Sequence, residues 1–208
     1  MVPLAPSWII GEKTMCVARL RPDRERQRFE IVIVSGVNAA EMAAARTTAT
    51  VRDSGLICPN PACPAEQKPT PIASLRGDSK TIDGTQWGLR PWENDDLVPR
   101  ADDVFQERLY CIRWVRVSNT DGGGKKGKNG NGRNGAGRYY AAPTATDLER
   151  EQRVLRLLRE RFSGWQRKGF VPAGRIQSGE KTDEPPRTRG WTHWHHLFTP
   201  RQLLVHGL

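Results

Sequence analysis

A chain of 208 residues, 37% of them hydrophobic, is long enough to fold around one core. No apolar run approaches the ~18 residues of a transmembrane helix, and the N-terminal residues lack the features of a signal peptide, so we expect a cytoplasmic protein. In that compartment the four cysteines are expected to be thiols or metal ligands rather than disulfides.

The net charge of +10 is unevenly distributed. Residues 1–120 contain 16 lysines and arginines against 15 acidic residues, whereas residues 121–208 contain 17 against 8. Such an excess is typical of a surface that contacts a polyanion, most often DNA or RNA. The alternative is a solvated basic face that binds nothing.

The first 57 residues predict a β-hairpin followed by a helix. Residues 13–20 and 28–34 are β-rich runs on either side of a polar turn. Residues 38–46 are rich in alanine, and Asn38 is placed to cap a helix there. Short extended pieces are then expected around a turn at 53–55.

A pair of cysteines lies in the proline-rich stretch 58–69. Cys58 and Cys63 have the spacing of half a zinc knuckle, but a structural zinc site needs four ligands. Cys16 and Cys111 are single residues in predicted strands, and they could complete the site only if the fold brings them there. The sequence therefore leaves two readings open, a zinc site at Cys58 and Cys63 or plain reduced thiols.

The middle of the chain predicts two further strands. Residues 71–78 are a candidate strand that ends in a turn, and residues 79–104 are polar and rich in turns. Residues 107–117 alternate with both faces largely apolar, which favours a central strand. Residues 1–120 together predict a β-rich α+β region that contains the cysteine knuckle.

Residues 121–138 are rich in glycine and lysine and predict a flexible loop. The segment nearly matches a phosphate-binding P-loop, but Asn129 stands where serine or threonine must hold magnesium, and no helix pattern follows. We therefore reject nucleotide binding there. The basic residues of the loop either contact a nucleic-acid backbone or only keep a linker soluble; they are Lys125, Lys126, Lys128, Arg133 and Arg138.

Residues 139–208 predict a mainly helical region. Apolar residues at helical spacing indicate a helix over 146–168, with Thr146 and Glu149 as its capping box. Its other face is rich in arginine, and Arg153 and Arg156 are candidates for phosphate contacts. The alternative is a solvated face on which Glu149 pairs with Arg153.

Residues 170–190 are expected to be a loop, and 198–206 to start a helix. Thr199 is its expected N-cap, Pro200 its first residue, and Gln202 the partner of a second capping box. Because the sequence ends soon after this start, we expect a truncated helix.

The densest chemistry lies at residues 190–198, "GWTHWHHLF", which contain three of the four histidines. His193 and His195 would share one side of a strand, whereas zinc proteases need histidines four apart on a helix with a glutamate between them. No acidic residue or cysteine nearby has ligand spacing. The pattern favours aromatic packing that seats the following helix, and a histidine metal enzyme is the weaker alternative.

Three blocks of the sequence carry a family resemblance: 20–63, 102–114 and 179–204. They resemble consecutive blocks of the large adenine-specific DNA methylases of bacterial anti-phage gene clusters, and residues 191–198 are the most specific piece. In that family the cysteine segment resembles a zinc-ribbon-like insertion, and residues 191–202 would return the chain to the methyltransferase core. The resemblance implies S-adenosylmethionine-dependent methylation of DNA as part of phage defence or restriction-modification.

The chain lacks the catalytic signatures of that family. Its one Pro-Pro pair, Pro185 and Pro186, is not followed by an aromatic residue, and no glycine-rich cofactor motif is found, so no catalytic residue can be assigned. We therefore expect an α+β fold with a small mixed sheet and one long amphipathic helix, as the insertion region of a larger Rossmann-like methyltransferase. The functional expectation is a fragment or split piece that contacts DNA and needs a partner chain; the alternative is a stand-alone basic DNA-binding module with a possible structural zinc.

Overall fold

A computed structural model describes residues 1–26, 28–64, 67–115 and 137–208 of the chain. The strands, in chain order, are β1 (Ile9–Gly11), β2 (Cys16–Asp23), β3 (Arg28–Ser35), β4 (Val51–Arg52), β5 (Gly55–Leu56), β6 (Thr70–Pro71), β7 (Ser79–Thr81), β8 (Gly84–Gln86), β9 (Ile112–Val115) and β10 (Arg138–Ala141).

The helices are α1 (Ala39–Thr47), α2 (Ile72–Arg76), α3 (Ala145–Arg167), α4 (Glu184–Arg189) and α5 (Pro200–Gly207), with a 3₁₀ helix over Trp194–Leu197. This mixture of small sheets and helices confirms the α+β class. Among the described residues, no helix combines the length and the apolar character needed to cross a membrane.

The chain forms two compact units, each built from separate segments. The first unit contains Met1–Arg52, Ile57–Gln67 and Tyr110–Pro143, and the second contains Asp53–Leu56, Lys68–Leu109 and Thr144–Leu208. Each unit has its own hydrophobic cluster.

The first unit is organised by the predicted hairpin, which is confirmed. β2 and β3 pair antiparallel from Cys16 opposite Ser35 to Asp23 opposite Arg28, and β1 adds to the free side of β2. The predicted helix is also confirmed, because Asn38 and Glu41 form a capping box at the start of α1. The hairpin and α1 enclose the first cluster: Trp8, Val17, Ala18, Val37 and Ala45.

The expected central strand is wrong. Only Ile112–Val115 forms a strand, and β9 pairs with β10 in a two-stranded antiparallel sheet. Ile112 and Trp114 are half-buried while Arg113 and Val115 are exposed, so only one face is covered. Residues 116–117 lie outside the described part of the chain.

The second unit corrects two local predictions. Residues 72–76, expected as a strand, form helix α2, which ends where Gly77 takes a left-handed conformation with φ 79°. Residues 184–189, expected as loop, form α4, with prolines at its first positions. In both places a left-handed glycine, Gly77 or Gly190, ends a helix too short to show a 3.6-residue period.

Helix α3 is confirmed, but its cap differs from the prediction. Thr144, not Thr146, is the N-cap, and Asp147 is its partner. The carboxylate of Asp147 accepts hydrogen bonds from the amide and the hydroxyl of Thr144, at 2.9 and 2.7 Å. The predicted partner, Glu149, stays exposed.

Helix α5 completes the core of the second unit. Thr199 and Gln202 cap it as predicted. Gly207 lies against the indole of Trp165, so close that a β-carbon on Gly207 would fall 2.2 Å from the ring. The cluster that α3 and α5 enclose contains Leu97, Leu158, Phe162, Trp165, Val171 and Leu203.

Shortening Leu158 is expected to destabilise the second unit strongly. Leu158 is fully buried, and Leu158→Ala removes its packing and leaves a cavity, which costs about 2–5 kcal/mol. Urea unfolding followed by circular dichroism measures the loss. Leu148→Ala is the matched control in the same helix, because Leu148 is 46% exposed, and a change above about 1 kcal/mol there would contradict this assignment of the core.

Candidate functional site

The histidine segment forms a tight turn, so the prediction that His193 and His195 lie along a strand is wrong. Only His193 makes a strand-like bridge, to Arg175, and the 3₁₀ helix Trp194–Leu197 follows. The turn forms because Nδ1 of His196 accepts hydrogen bonds from the amides of Thr192 and His193, each at 3.2 Å. The imidazole thus acts as a side-chain cap.

Both nitrogens of His196 are committed to the backbone. Nδ1 accepts two amide protons, so it carries no proton itself, and Nε2 donates to the carbonyl of Glu93 at 3.1 Å. His196 is 5% exposed, and its ring packs edge-on against Trp92 with centroids 5.3 Å apart. His196 therefore has a structural role as a neutral ring.

His195 is fully buried and has one free nitrogen. Its Nδ1 donates to the carbonyl of Pro172 at 3.1 Å, and its ring packs on Phe162. Its Nε2 is buried without a hydrogen-bond partner among the described residues. The backbone groups of Pro172 and, to a smaller extent, Asn94 raise the pKa of this ring against the larger lowering effect of burial.

His193 has the same tautomer for a different reason. The Thr192 hydroxyl donates its proton to the carbonyl of Trp92, so it can only accept from Nδ1 of His193, 2.9 Å away. Nε2 of His193 is then unprotonated. The hydrogen bonds thus determine which nitrogen carries the proton on all three rings.

His195 and His196 pack against aromatic rings and form hydrogen bonds with backbone groups. The described residues contain no group of three or more histidine, cysteine or acidic side chains that could hold a metal ion. The ring of His195 packs on Phe162 and the ring of His196 packs on Trp92, which are the aromatic contacts that the packing interpretation expects.

Cys58 and Cys63, the predicted zinc ligands, lie close to each other in the first unit. The neighbouring Cys58 thiol, together with burial, raises the pKa of Cys63. The side chain of Gln67 bonds to both the amide and the carbonyl of Cys58, at 3.1 and 2.9 Å. Since no third ligand joins the pair within the described residues, zinc stays a prediction.

The other two cysteines form a separate group in the same unit. Cys16 is fully buried and accepts a hydrogen bond from Ser35 at 3.5 Å. Burial raises the pKa of Cys111, and the neighbouring Cys16 adds to that effect.

The predicted nucleic-acid residues fall into three groups. Arg153 and Arg156 lie on α3 and are exposed. Arg138 begins β10 in the other unit and is also exposed. The remaining predicted residues, Lys125, Lys126, Lys128 and Arg133, lie outside the described part of the chain.

Arg153, Arg156 and Arg159 of α3 are exposed and have no acidic partner within 4.0 Å among the described residues, and the same holds for Arg161 and Arg167 at the end of the helix. The expected pair between Glu149 and Arg153 does not form. The ion pairs of this helix are instead Arg150 with Asp147 and Glu151 with Arg201. The guanidinium groups of Arg153, Arg156 and Arg159 can bind an anion without first breaking an ion pair.

Sequence reasoning missed a small cavity of about 230 Å³ in the second unit. It is lined by the aromatic residues Trp92, Trp191 and Phe105 and, at exposed positions that we call its rim, by Asp102 and Glu107. The sequence signal was the cluster of tryptophan and aspartate over residues 92–103, which composition alone assigned to a polar, turn-rich stretch.

The described residues contain no glycine-rich motif for S-adenosylmethionine. Pro185 and Pro186 form the first turn of α4 instead of a catalytic loop.

No family model, no curated protein and no solved structure matches the chain.

The buried histidines predict a loss of stability in mild acid. Burial, with a smaller contribution from neighbouring histidines, lowers the pKa of both His195 and His196 from 6.5 to about 4. In the unfolded chain these groups take up protons near pH 6.5, whereas in the folded protein they stay neutral until about pH 4. The free energy of unfolding should therefore fall as the pH drops from 6.5 to 4, by on the order of 3 kcal/mol for each histidine.

Urea unfolding at pH 7, 6 and 5 measures this loss. His206 is exposed, so His206→Gln is the control that should keep the full pH dependence, while His195→Gln should reduce it. A free energy of unfolding that stays constant from pH 7 to pH 5 would show that the histidines are not held neutral.

Proposed function

We propose that this chain is a DNA-contacting, non-catalytic part of an S-adenosylmethionine-dependent adenine-specific DNA methyltransferase of a phage-defence or restriction-modification system, acting in the cytoplasm. Two things support the proposal. One is the resemblance of residues 20–63, 102–114 and 179–204 to that class of methylase. The other is the excess of basic residues beyond residue 120.

The observation that best supports DNA contact is a row of exposed arginines without ion pairs on α3. Arg153, Arg156 and Arg159 follow each other at steps of three residues, so successive groups are about 4.5 Å apart along the helix axis. Arginine suits phosphate because its planar guanidinium offers paired donors to two oxygens. A row of such groups can contact several phosphates of one backbone.

Three exposed arginines of the first unit lack this property. Arg19, Arg21 and Arg46, in the first unit, are each paired with a glutamate. An anion must compete with that glutamate for each of them, so they contribute less to phosphate binding. The contrast adds the unpaired arginines of α3 to the excess of basic residues as support for DNA contact.

The alternative is a stand-alone basic DNA-binding module, with a zinc ion at Cys58 and Cys63 as its possible structural element. The same arginines support it. The two proposals differ in one respect, because only the methyltransferase part requires a partner chain that supplies the cofactor site and the catalytic motif.

Replacing Arg153, Arg156 and Arg159 should lower the affinity for DNA and reduce the dependence of that affinity on salt. In Arg153→Gln/Arg156→Gln/Arg159→Gln, each lost phosphate contact lowers the log–log slope of affinity against salt by about 0.9. Fluorescence anisotropy with a labelled duplex at several KCl concentrations measures both quantities.

The control variant, Arg19→Gln/Arg21→Gln/Arg46→Gln, loses the same charge from ion-paired positions. It should keep most of the affinity and of the slope. Equal losses in both variants would mean that net charge and not α3 binds DNA, and undetectable binding of the wild-type chain at low salt would eliminate both DNA proposals.

The isolated chain is expected to transfer no methyl group to DNA. Incubation with radiolabelled S-adenosylmethionine and adenine-containing duplex should give no incorporation above a no-protein control. Incorporation by the chain alone would overturn the non-catalytic assignment while leaving DNA contact intact.

A further inference from the structure

Two tryptophans, Trp92 and Trp191, line the cavity of the second unit and are held in place by their neighbours. Trp92 is 8% exposed and meets Trp191 edge-on, with ring centroids 6.2 Å apart. The amide of Trp92 donates to the carbonyl of Gly190 at 2.7 Å, and Gly190 lies too close to Arg90 to carry a side chain. The walls are therefore held by backbone contacts.

Arg90 lines the cavity, and two aspartates neutralise its charge. Arg90 donates two hydrogen bonds to Asp103, at 2.9 and 2.8 Å, and one to Asp96 at 2.7 Å. Arg100 also bonds to Asp96. The hydrogen bond from Arg90, against the effect of burial, keeps the pKa of Asp103 below its ordinary value.

Two other carboxylates at the cavity have no such partner. Asp102 and Glu107 line it, are exposed, and make no hydrogen bond or ion pair with any described residue. Since Arg90 is saturated by two aspartates, it offers no compensating charge. The rim therefore has an unsatisfied negative charge beside aromatic rings.

One cation already lies against the aromatic wall. The guanidinium carbon of Arg189 is 5.8 Å from the ring centroid of Trp191, a distance typical of a cation–π contact. Arg189 lies on the exposed side of α4 and has no acidic partner among the described residues. The ring of Trp191 thus contacts a positively charged group within this chain.

We propose that this cavity binds an organic cation, either a guanidinium or an alkylammonium group. Tryptophan faces attract such cations, and the carboxylates of Asp102 and Glu107 offer acceptors for their N–H donors. A volume of about 230 Å³ fits one functional group rather than a whole cofactor. The group can belong to a small molecule or to a lysine or arginine side chain of a protein partner.

Charge argues against a nucleotide as the occupant. The lining side chains carry three carboxylates, Asp102, Asp103 and Glu107, against two guanidinium groups, Arg90 and Arg189. A phosphate group would be repelled by the two unpaired carboxylates of the rim, which a cation neutralises. The cation proposal does not depend on DNA contact by α3.

Isothermal titration calorimetry of the full chain with agmatine tests the proposal. A short peptide, acetyl-Gly-Arg-Gly-amide, is the second probe, and adenosine monophosphate at matched ionic strength is the third. Tighter binding of the peptide assigns the cation to a protein side chain, and tighter binding of agmatine assigns it to a small molecule. Preferred binding of adenosine monophosphate, or no binding of either cation, overturns the proposal.

Variants of opposite sign locate the binding. Asp102→Asn/Glu107→Gln keeps the shape of the rim and should weaken cation binding about tenfold, since two partly exposed charge contacts are lost. Arg189→Gln removes a like charge and should tighten binding severalfold.

The matched control is Asp83→Asn/Glu180→Gln, which removes the same charge from exposed positions outside the cavity lining. It should leave the affinity for agmatine unchanged. A loss equal to that of the Asp102 and Glu107 variant would show that the cation responds to net charge and not to the cavity. An unchanged affinity in the Asp102 and Glu107 variant would equally overturn the assignment.

Discussion

The second unit depends on one imidazole. The ring of His196 accepts the amides of Thr192 and His193 and donates to the carbonyl of Glu93, 103 residues away in the chain. Only the neutral ring with its proton on Nε2 can make these three bonds together. They join the segment that contains Trp92 to the turn before α5, so the cavity walls and the histidine turn are parts of one hydrogen-bonded structure.

Local chemistry made the helix starts predictable. A capping box involves residues three apart, so α1 and α5 could be assigned from their own sequence. At α3 two pairs satisfy the same rule, Thr144 with Asp147 and Thr146 with Glu149. Tertiary structure selects the first pair, because Asp147 is buried at 8% exposure while Glu149 faces solvent.

Other features depend on partners that a local pattern does not specify. Alternation at residues 107–117 indicates a strand but not how many neighbours it has, and β9 has one neighbour among the described residues. The spacing of the three histidines could be tested against metal motifs. It could not reveal that His195 and His196 bond to the backbone carbonyls of Pro172 and Glu93. The arginine face of α3 was predictable, whereas the absence of a Glu149–Arg153 pair was not, since long side chains choose among several neighbours.

Arg90 and the unpaired arginines of α3 differ in how easily dissolved ions reach them. Asp96 and Asp103, which hold Arg90, are 7% and 11% exposed, so dissolved salt screens these pairs weakly. The free arginines of α3 are open to the counterions of the buffer. A concentrated salt wash during purification would therefore strip bound polyanions from the protein while its internal charge network stays intact.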